Sequence, residues 1–436
     1  MSHPDKACLK AIHSQTAPSW TRRWLPWPKR FDIALLSFFA VVIAACDRIN
    51  MAVAAPAIMQ EYGWDTVKMG WVLSGFYIGY VLFMIPTGMI ADRYGPKRVF
   101  ASSVAWWSLF TALTPLPKSL SGMTLMRITM GAGESGMYPS VNGILVRWFP
   151  RQEYSRAASF SWSGGALGAI IAFPLASMIV GLWGWRAIFF AFAFLGVIWL
   201  PLWVLGSSDD PATSRGISQR ELEHILEARP VMEVVRSVPW REILRLPALW
   251  ALLLLHFSAN WFAYMLISWL PTYLMIGRHF SLANMAIGSA LPFLAILVGT
   301  NFFGTLIDRL SIRHSRTSVQ KMVLLPYAFA AVIFLLVPLA SSSSITVLLL
   351  CLSTALMSCV IPIYASGSLD LAPRFAATVV AFQNSMANFA GILVPVVTGY
   401  LVKFAGWNAA FWLTAAMSTV GILIYLAFGQ ARKLVD

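Results

Sequence analysis

Charge is what this chain of 436 residues has least of: Asp, Glu, Lys and Arg together make up 11%, against roughly 25% in a soluble globular domain. Hydrophobic residues make up 58%, and mean hydropathy is +0.70. So few charges cannot tile a surface that faces water. That excludes the two or three soluble domains this length would otherwise suggest, and most of the surface is expected to face lipid. Acidic residues are the scarcest, 18 against 32 Lys and Arg, for a formal net charge of +14. The basic residues are scattered between apolar runs and form no aromatic-interleaved patch, which excludes a nucleic-acid partner. Cysteine is scarce too. Cys8, Cys46, Cys351 and Cys359 show no metal-ligand spacing, and the last three lie in apolar runs, so packing is expected, with no disulfide and no metal. Neither H-E-x-x-H nor G-x-S-x-G occurs, and Gly133-Glu134-Ser135-Gly136 has the wrong spacing for a hydrolase nucleophile. No enzyme, no cofactor and no obligate protein partner are implied.

What the chain has instead is long apolar runs. A bilayer core needs about 20 mostly apolar residues per helix, and twelve such runs are found. Six are Phe31–Ala57, Gly70–Ala91, Val99–Leu116, Gly122–Phe149, Ser155–Leu182 and Trp185–Leu205. Six more follow: Leu249–Leu274, Leu282–Ile307, Met322–Ala340, Ile345–Tyr364, Phe375–Phe404 and Trp407–Phe428. The expected fold is an all-α membrane protein of 12 transmembrane helices. It divides into a tail (1–30), a six-helix half (31–205), a charged linker (206–247), a second six-helix half (248–428) and a short tail (429–436). Gln219 to Glu227 is expected to form a short surface helix, and the rest of the linker to be solvated. On this topology 25 of the 32 basic residues fall on the side of the two tails, five on the other side, and Arg48 and Arg127 inside spans. That bias places both termini in the cytoplasm of a cell (inner or plasma) membrane.

The halves resemble each other. Gly88-x-x-x-Asp92-Arg93 recurs as Gly304-x-x-x-Asp308-Arg309, and Phe160 with Gly184-Trp185 recurs as Phe382 with Gly406-Trp407. Elements repeating in the same order point to duplication of a six-helix unit, and parallel repeats of this kind put a site near the midplane, between the halves.

The stretch Gly88-Met-Ile-Ala-Asp92-Arg93-Tyr-Gly95-Pro-Lys97-Arg98 resembles the signature between the second and third helices of the major facilitator superfamily. Gly88 would let a neighbouring helix approach. Asp92, with Arg93, is expected to latch the tail side shut against the positive end of a helix near Arg374–Ala377, and Asp308 and Arg309 repeat that gate in the second half. Arg127-x-x-x-Gly131-x-Gly133 resembles a second signature of the superfamily, in a position where a structural and a functional role are equally open.

Four charges interrupt the apolar runs deeply: Asp47, Arg48, Arg127 and Glu134. Insertion of a charge at mid-bilayer costs at least ~2.5 kcal/mol, so such residues mark pathways. Adjacent helical residues point about 100° apart. Of Asp47 and Arg48, Arg48 is therefore expected to face the central cavity as an anion anchor, since its guanidinium forks onto a carboxylate. Glu134, expected to be buried without a fixed cation, is the expected proton carrier, and Asp47 the acid held ionised by its arginine neighbour. The first run (Asp47-Arg48-Ile-Asn50-Met51), Gly133-Glu134 in the fourth, and Asn260-Trp261-x-x-Tyr264-x-x-x-x-Trp269-Leu-Pro271 in the seventh resemble the anion:cation symporter branch of the superfamily. That resemblance implies alternating-access, proton-coupled symport of a small organic anion, a carboxylate such as a sugar acid or aromatic acid. It also implies coupling through Asp47, Arg48 and Glu134, and substrate contact by Tyr80, with Tyr77 one turn away. An anion exchanger or phosphate carrier not driven by protons is the alternative. One departure weakens the sugar-acid assignment: Ser163-Gly164-Gly165-Ala166 stands where the sugar-acid permeases carry a glutamine. Asn384 with Asn388, and Asn260 with Tyr264, share helix faces at i, i+4 and are expected to line the cavity. A non-transporting sensor would need a signalling surface that the linker and tails do not offer.

Overall fold

The computed structural model describes residues 27–227 and 238–433. Most of the N-terminal tail with Cys8, linker residues 228–237 and the last three residues lie outside the described residues, as do the side chains of Arg374, Ala376 and Ala377. Every regular element among the described residues is helical. The first half comprises α1 (Lys29–Tyr62), α2 (Thr66–Tyr94), α3 (Pro96–Leu113), α4 (Leu120–Glu134), α5 (Met137–Trp148), α6 (Arg151–Trp183) and α7 (Trp185–Gly206). The linker holds α8 (Gln219–Glu227) and a single turn, α9 (Trp240–Ile243). The second half comprises α10 (Pro247–Thr272), α11 (Leu282–Ser311), α12 (Arg316–Leu336), α13 (Ser343–Met357), α14 (Val360–Leu371) and α15 (Ala376–Phe428). Among the described residues, eight helices or joined helices are long and apolar enough to cross a membrane, and the chain is an integral, multi-pass membrane protein.

Short polar loops start several helices with side-chain caps: Asp65 accepts from the Lys68 N–H, and Ser119, Ser281, Ser315 and Ser342 do the same for α4, α11, α12 and α13. Two of the apolar runs are not single helices. The fourth breaks between Glu134 and Met137, where Gly133 and Gly136 weaken the helix, and the tenth breaks between Met357 and Val360. The last two runs are joined instead, interrupted within α15 only at Gly406 (φ 77°, ψ 176°).

The duplication is visible in the packing. In the first half α1 packs on α6, α2 on α4 and α3 on α7; in the second, α10 and α12 pack on α15, and α11 on α13. A Cβ on Gly88 would meet Pro139 at 3.8 Å, and one on Gly304 would meet Pro362 at 3.7 Å. Those are ordinary contacts, so neither glycine marks a tight approach in this state. Gly184 and Gly406, the two glycines that precede the repeated tryptophans, both take a left-handed φ, a conformation that favours glycine.

Most described linker residues are exposed, and Gln219–Glu227 forms the expected surface helix, but two linker carboxylates dock on the first half. The Glu221 carboxylate of α8 accepts from the backbone N–H groups of Lys29 (3.0 Å) and Arg30 (3.0 Å) and from the Arg30 guanidinium (3.2 Å). It thus caps the start of α1, whose own sequence supplies no cap. Asp209 likewise accepts from the Lys97 N–H (2.8 Å) at the start of α3. Lys97 Nζ reaches the Ser207 carbonyl (2.6 Å). The signature loop is therefore held from within the first half.

On the face opposite the chain ends, which we call the far face, the halves meet along a seam between α2 and α15. Lys403 Nζ pairs with Asp65 (2.8 Å), Thr66 Oγ1 donates to the Gly399 carbonyl (2.7 Å), and Ser74 Oγ donates to the Ile392 carbonyl (2.6 Å). Hydrogen bonding from Lys403 and then from the Lys68 N–H holds the Asp65 carboxyl below the usual carboxylate range. A group whose folded-state pKa is depressed contributes stability above its unfolded pKa and loses it as pH falls through the folded value. The difference in melting temperature between the native chain and Lys403→Met should therefore be constant from pH 5 to 8 and shrink below about pH 4. A difference that stays the same at the acid end would contradict the clasp.

Candidate functional site

The site is built where α1, α2, α4 and α5 of the first half face α10 and the start of α15. Asp47 and Arg48 turn to different neighbours, as adjacent helical residues must. Arg48, with 19% of its side chain exposed, points inward from about the middle of α1, and its Nε donates to Glu134 Oε1 at 2.5 Å. Its guanidinium lies 5.0 Å from the Tyr80 ring, 5.4 Å from Phe76 and 5.9 Å from Tyr138, close enough for cation–π attraction. Glu134 is fully buried, at the last residue of α4 before the break. Two polar atoms of the pair are left over: Arg48 Nη2 and Glu134 Oε2 are buried without a hydrogen-bond partner.

Asp47 is also fully buried, about 100° round α1 from Arg48. It faces the Trp107 indole and Thr111 hydroxyl of α3, neither placed to complete a hydrogen bond. Arg127 of α4, 2% exposed, lies nearby, with Nη1 at 3.5 Å from the Asp47 carbonyl and 3.4 Å from Asn50 Oδ1. Its guanidinium lies 5.2 Å from the same Phe76 ring that backs Arg48.

These positions correct one expectation. Glu134 is the carboxyl with the fixed cation, and Asp47, beside Arg48 in sequence, has no ion pair among the described residues. The helical turn between positions 47 and 48 sends the guanidinium across to α4, so sequence neighbours are not spatial partners.

The tyrosines close the site towards the far face. The Tyr77 and Tyr264 rings lie 4.6 Å apart, bridging α2 and α10. Tyr264 Oη donates to Asn388 Oδ1 (2.5 Å), and Asn388 Nδ2 donates to the Asn384 carbonyl (2.8 Å). The structure thus brings together Arg48, Glu134, Tyr77, Tyr80, Tyr264 and Asn388. Asn384 is exposed one turn towards the chain-end face, and half-buried Asn260 lies one turn before Tyr264 on α10. The gate residues Asp92, Arg93, Asp308 and Arg309 stand apart, all exposed at the chain-end face. Among the described residues Asp92 has no ion pair, and most side chains of its expected partner segment, 374–377, lie outside the description. The expected Asp92 latch therefore falls largely outside the described residues.

Sequence reasoning missed several participants. Tyr138 carried a signal, standing one turn beyond Glu134. Trp107 and Thr111 carried one as well, as polar groups at i, i+4 in an apolar run. A second buried network in the other half also went unforeseen: Gln383 joins Ser368 Oγ (2.5 Å), His256 Nδ1 (3.0 Å) and the Tyr364 carbonyl (3.0 Å). The His256 ring there stacks on Tyr364 at 3.8 Å. No metal-ligating cluster occurs among the described residues.

A duplicated helical bundle, closed along a seam on one face and carrying buried charges within its first half beside the second, has the architecture of a membrane transporter and not of an enzyme. The model of the Major Facilitator Superfamily matches residues 37–395. The chain is 32% identical to the sodium-dependent phosphate transport protein 1, chloroplastic, of Arabidopsis thaliana, over 95% of this chain and 81% of that one. It is 31% identical to the chloroplastic ascorbate transporter of the same plant, over 99% of this chain and 80% of that one. A solved bacterial homolog of the human lysosomal transporter Spinster shares the fold, with a TM-score of 0.77 at 19% identity, over 92% of this chain and 97% of that chain. The chain belongs to the Major Facilitator Superfamily, in its anion:cation symporter branch.

Removing one member of a buried charged set leaves the others uncompensated, at a cost of about 3–5 kcal/mol. Arg127→Leu should therefore destabilise the protein by about that much, and Asp47→Asn added to it should recover most of the loss. Thermal unfolding of the four proteins of this cycle measures the coupling. Additive effects would show that Arg127 and Asp47 do not sense each other.

Proposed function

We propose that the protein is a proton-coupled symporter of a small organic anion, working by alternating access. The observation that carries this is the Arg48–Glu134 pair with its free Nη2 and Oε2. Asp47, Arg48, Arg127 and Glu134 make two acids and two bases in one buried cluster. With both acids ionised the cluster is neutral and offers an anion no net attraction. Protonating Glu134 frees the Arg48 fork and leaves one positive charge, which a carboxylate neutralises in turn. Each event favours the other, which is the thermodynamic meaning of coupling. Asp47 is a second proton-binding position in this scheme. Tyr77, Tyr80, Tyr264, Asn260, Asn384 and Asn388 surround the anion's body, and Gly88, Asp92 and Arg93, with Asp308 and Arg309, form the chain-end gate.

The rest of the scheme follows the charge distribution along the chain. Twelve spans in two six-helix halves (31–205 and 248–428) cross a cell membrane, with both termini in the cytoplasm and the far face outside. The far-face seam between α2 and α15 supports a state closed on that side and open towards the cytoplasm. The relative named as a phosphate transporter favours a second reading, an anion exchanger or phosphate carrier not driven by protons, and a protonophore separates the two by abolishing accumulation only in the first.

In proteoliposomes with an inward proton gradient, Glu134→Gln should abolish accumulation of the anion while sparing counterflow exchange; accumulation at the native level would sink the coupling role. Arg48→Lys should weaken binding at least tenfold, about 1.4 kcal/mol, because an ammonium cannot reproduce the fork. Titration of the purified protein with a panel of carboxylates reads this directly, and native affinity in the lysine variant would remove Arg48 as the anchor.

A further inference from the structure

The seam on the far face holds three close approaches of α2 and α15, and the innermost of them lies at the site. Gly391 of α15 lies against the Tyr77 ring of α2: a Cβ built on Gly391 would fall inside the ring's van der Waals envelope, 2.6 Å from Cγ and 2.8 Å from Cε1. Real Cβ atoms essentially never come so close, so one partner would have to move. Tyr77 has nowhere to go. It is 3% exposed, and its ring is held by Phe76 at 5.0 Å and Tyr264 at 4.6 Å. Packed interiors have no spare room to absorb such a shift. The same two helices approach closely again further out, where a Cβ on Gly70 would stand 2.6 Å from the Pro395 carbonyl oxygen and one on Gly399 would strike the Thr66 carbonyl. The Ser74–Ile392 bond runs between the first two points, the Thr66–Gly399 bond sits at the last, and the Asp65–Lys403 pair lies beyond it.

We infer that Gly391 is a positioning residue for transport: its missing side chain lets Tyr77 seat between α15 and Tyr264 and seal the Arg48 site from the far face. Tyr77 then acts as the plug of that seal, with its ring filling the gap between the halves. The inference depends on the two halves moving, and not on which anion is carried or on proton coupling. A larger residue at 391 holds the seam apart, so the far-face-open state becomes the favoured one and the return step fails. Substrate is then bound from the far face but not delivered.

The test reads the seam itself. Cysteines are placed at its outermost pair, Asp65→Cys with Lys403→Cys, in the full chain reconstituted in liposomes, and their cross-linking by a short bifunctional thiol reagent that spans the length of the lysine side chain is timed. With Gly391 in place, cross-linking should be fast. Gly391→Ala should slow it, and Gly391→Val should slow it at least tenfold. Adding Tyr77→Ala to Gly391→Val removes the ring that the valine strikes and should restore fast cross-linking, which also shows that the slow variant was folded. Unchanged cross-linking in both Gly391→Ala and Gly391→Val would overturn the inference, and so would a slow Gly391→Val that Tyr77→Ala fails to rescue. Because no substrate is present, failure of the anion-symport scheme leaves this result interpretable, and the reverse also holds.

Discussion

An ionised side chain taken from water into a protein interior costs several kcal/mol even after relaxation, and the centre of this molecule is arranged around that cost. Four ionisable side chains share one region, and three of them have polar or aromatic partners. Arg48 is met by Glu134 and by three aromatic rings, and Arg127 by Asn50, a backbone carbonyl and the same Phe76 ring. The compensation stops short of completeness. Arg48 Nη2, Glu134 Oε2 and both Asp47 oxygens remain unsatisfied. Among the described residues, every buried atom of a charged side chain that lacks a partner belongs to one of these four residues.

The aromatic rings connect this chemistry to the mechanics. Tyr77 touches the seam through Gly391 and the site through Tyr264, which in turn holds Asn388. One side chain thus registers both the approach of the halves and the shape of the site. The opposite face is organised differently. There the linker carboxylates Asp209 and Glu221 cap helices of the first half, so the signature loop keeps its shape while Asp92 stands free of ion pairs among the described residues. A rigid first half beside a releasable contact is what rocking of two bodies requires.

Much of this was legible in the chain. Apolar runs announce their helices because a segment that must satisfy its backbone inside lipid has little choice but to form one. Asp47, Arg48 and Glu134 stood out for the same reason, as charges where almost none are tolerated. The tandem Gly-Trp pairs and the repeated Gly-x-x-x-Asp-Arg motif predicted a duplicated packing, and the left-handed Gly184 and Gly406 agree with it. Pairing was less legible. Adjacency in sequence put Asp47 with Arg48, whereas the helix sends Arg48 to Glu134, 86 positions away. The linker seemed solvated because it is rich in charge, yet Glu221 uses its charge to cap α1, a role that depends on where α8 lands.

Low charge and the length of the apolar runs were enough to determine a multi-pass membrane protein, and the charges that interrupt those runs singled out Asp47, Arg48, Arg127 and Glu134. Those properties depend on composition and on local periodicity, which the order of residues specifies directly. The tertiary structure decided which acid holds the arginine, which face of the bundle is sealed, and why position 391 has no room for a side chain. Each of those depends on a distance between helices far apart in sequence, and such distances are set only when all the helices pack together.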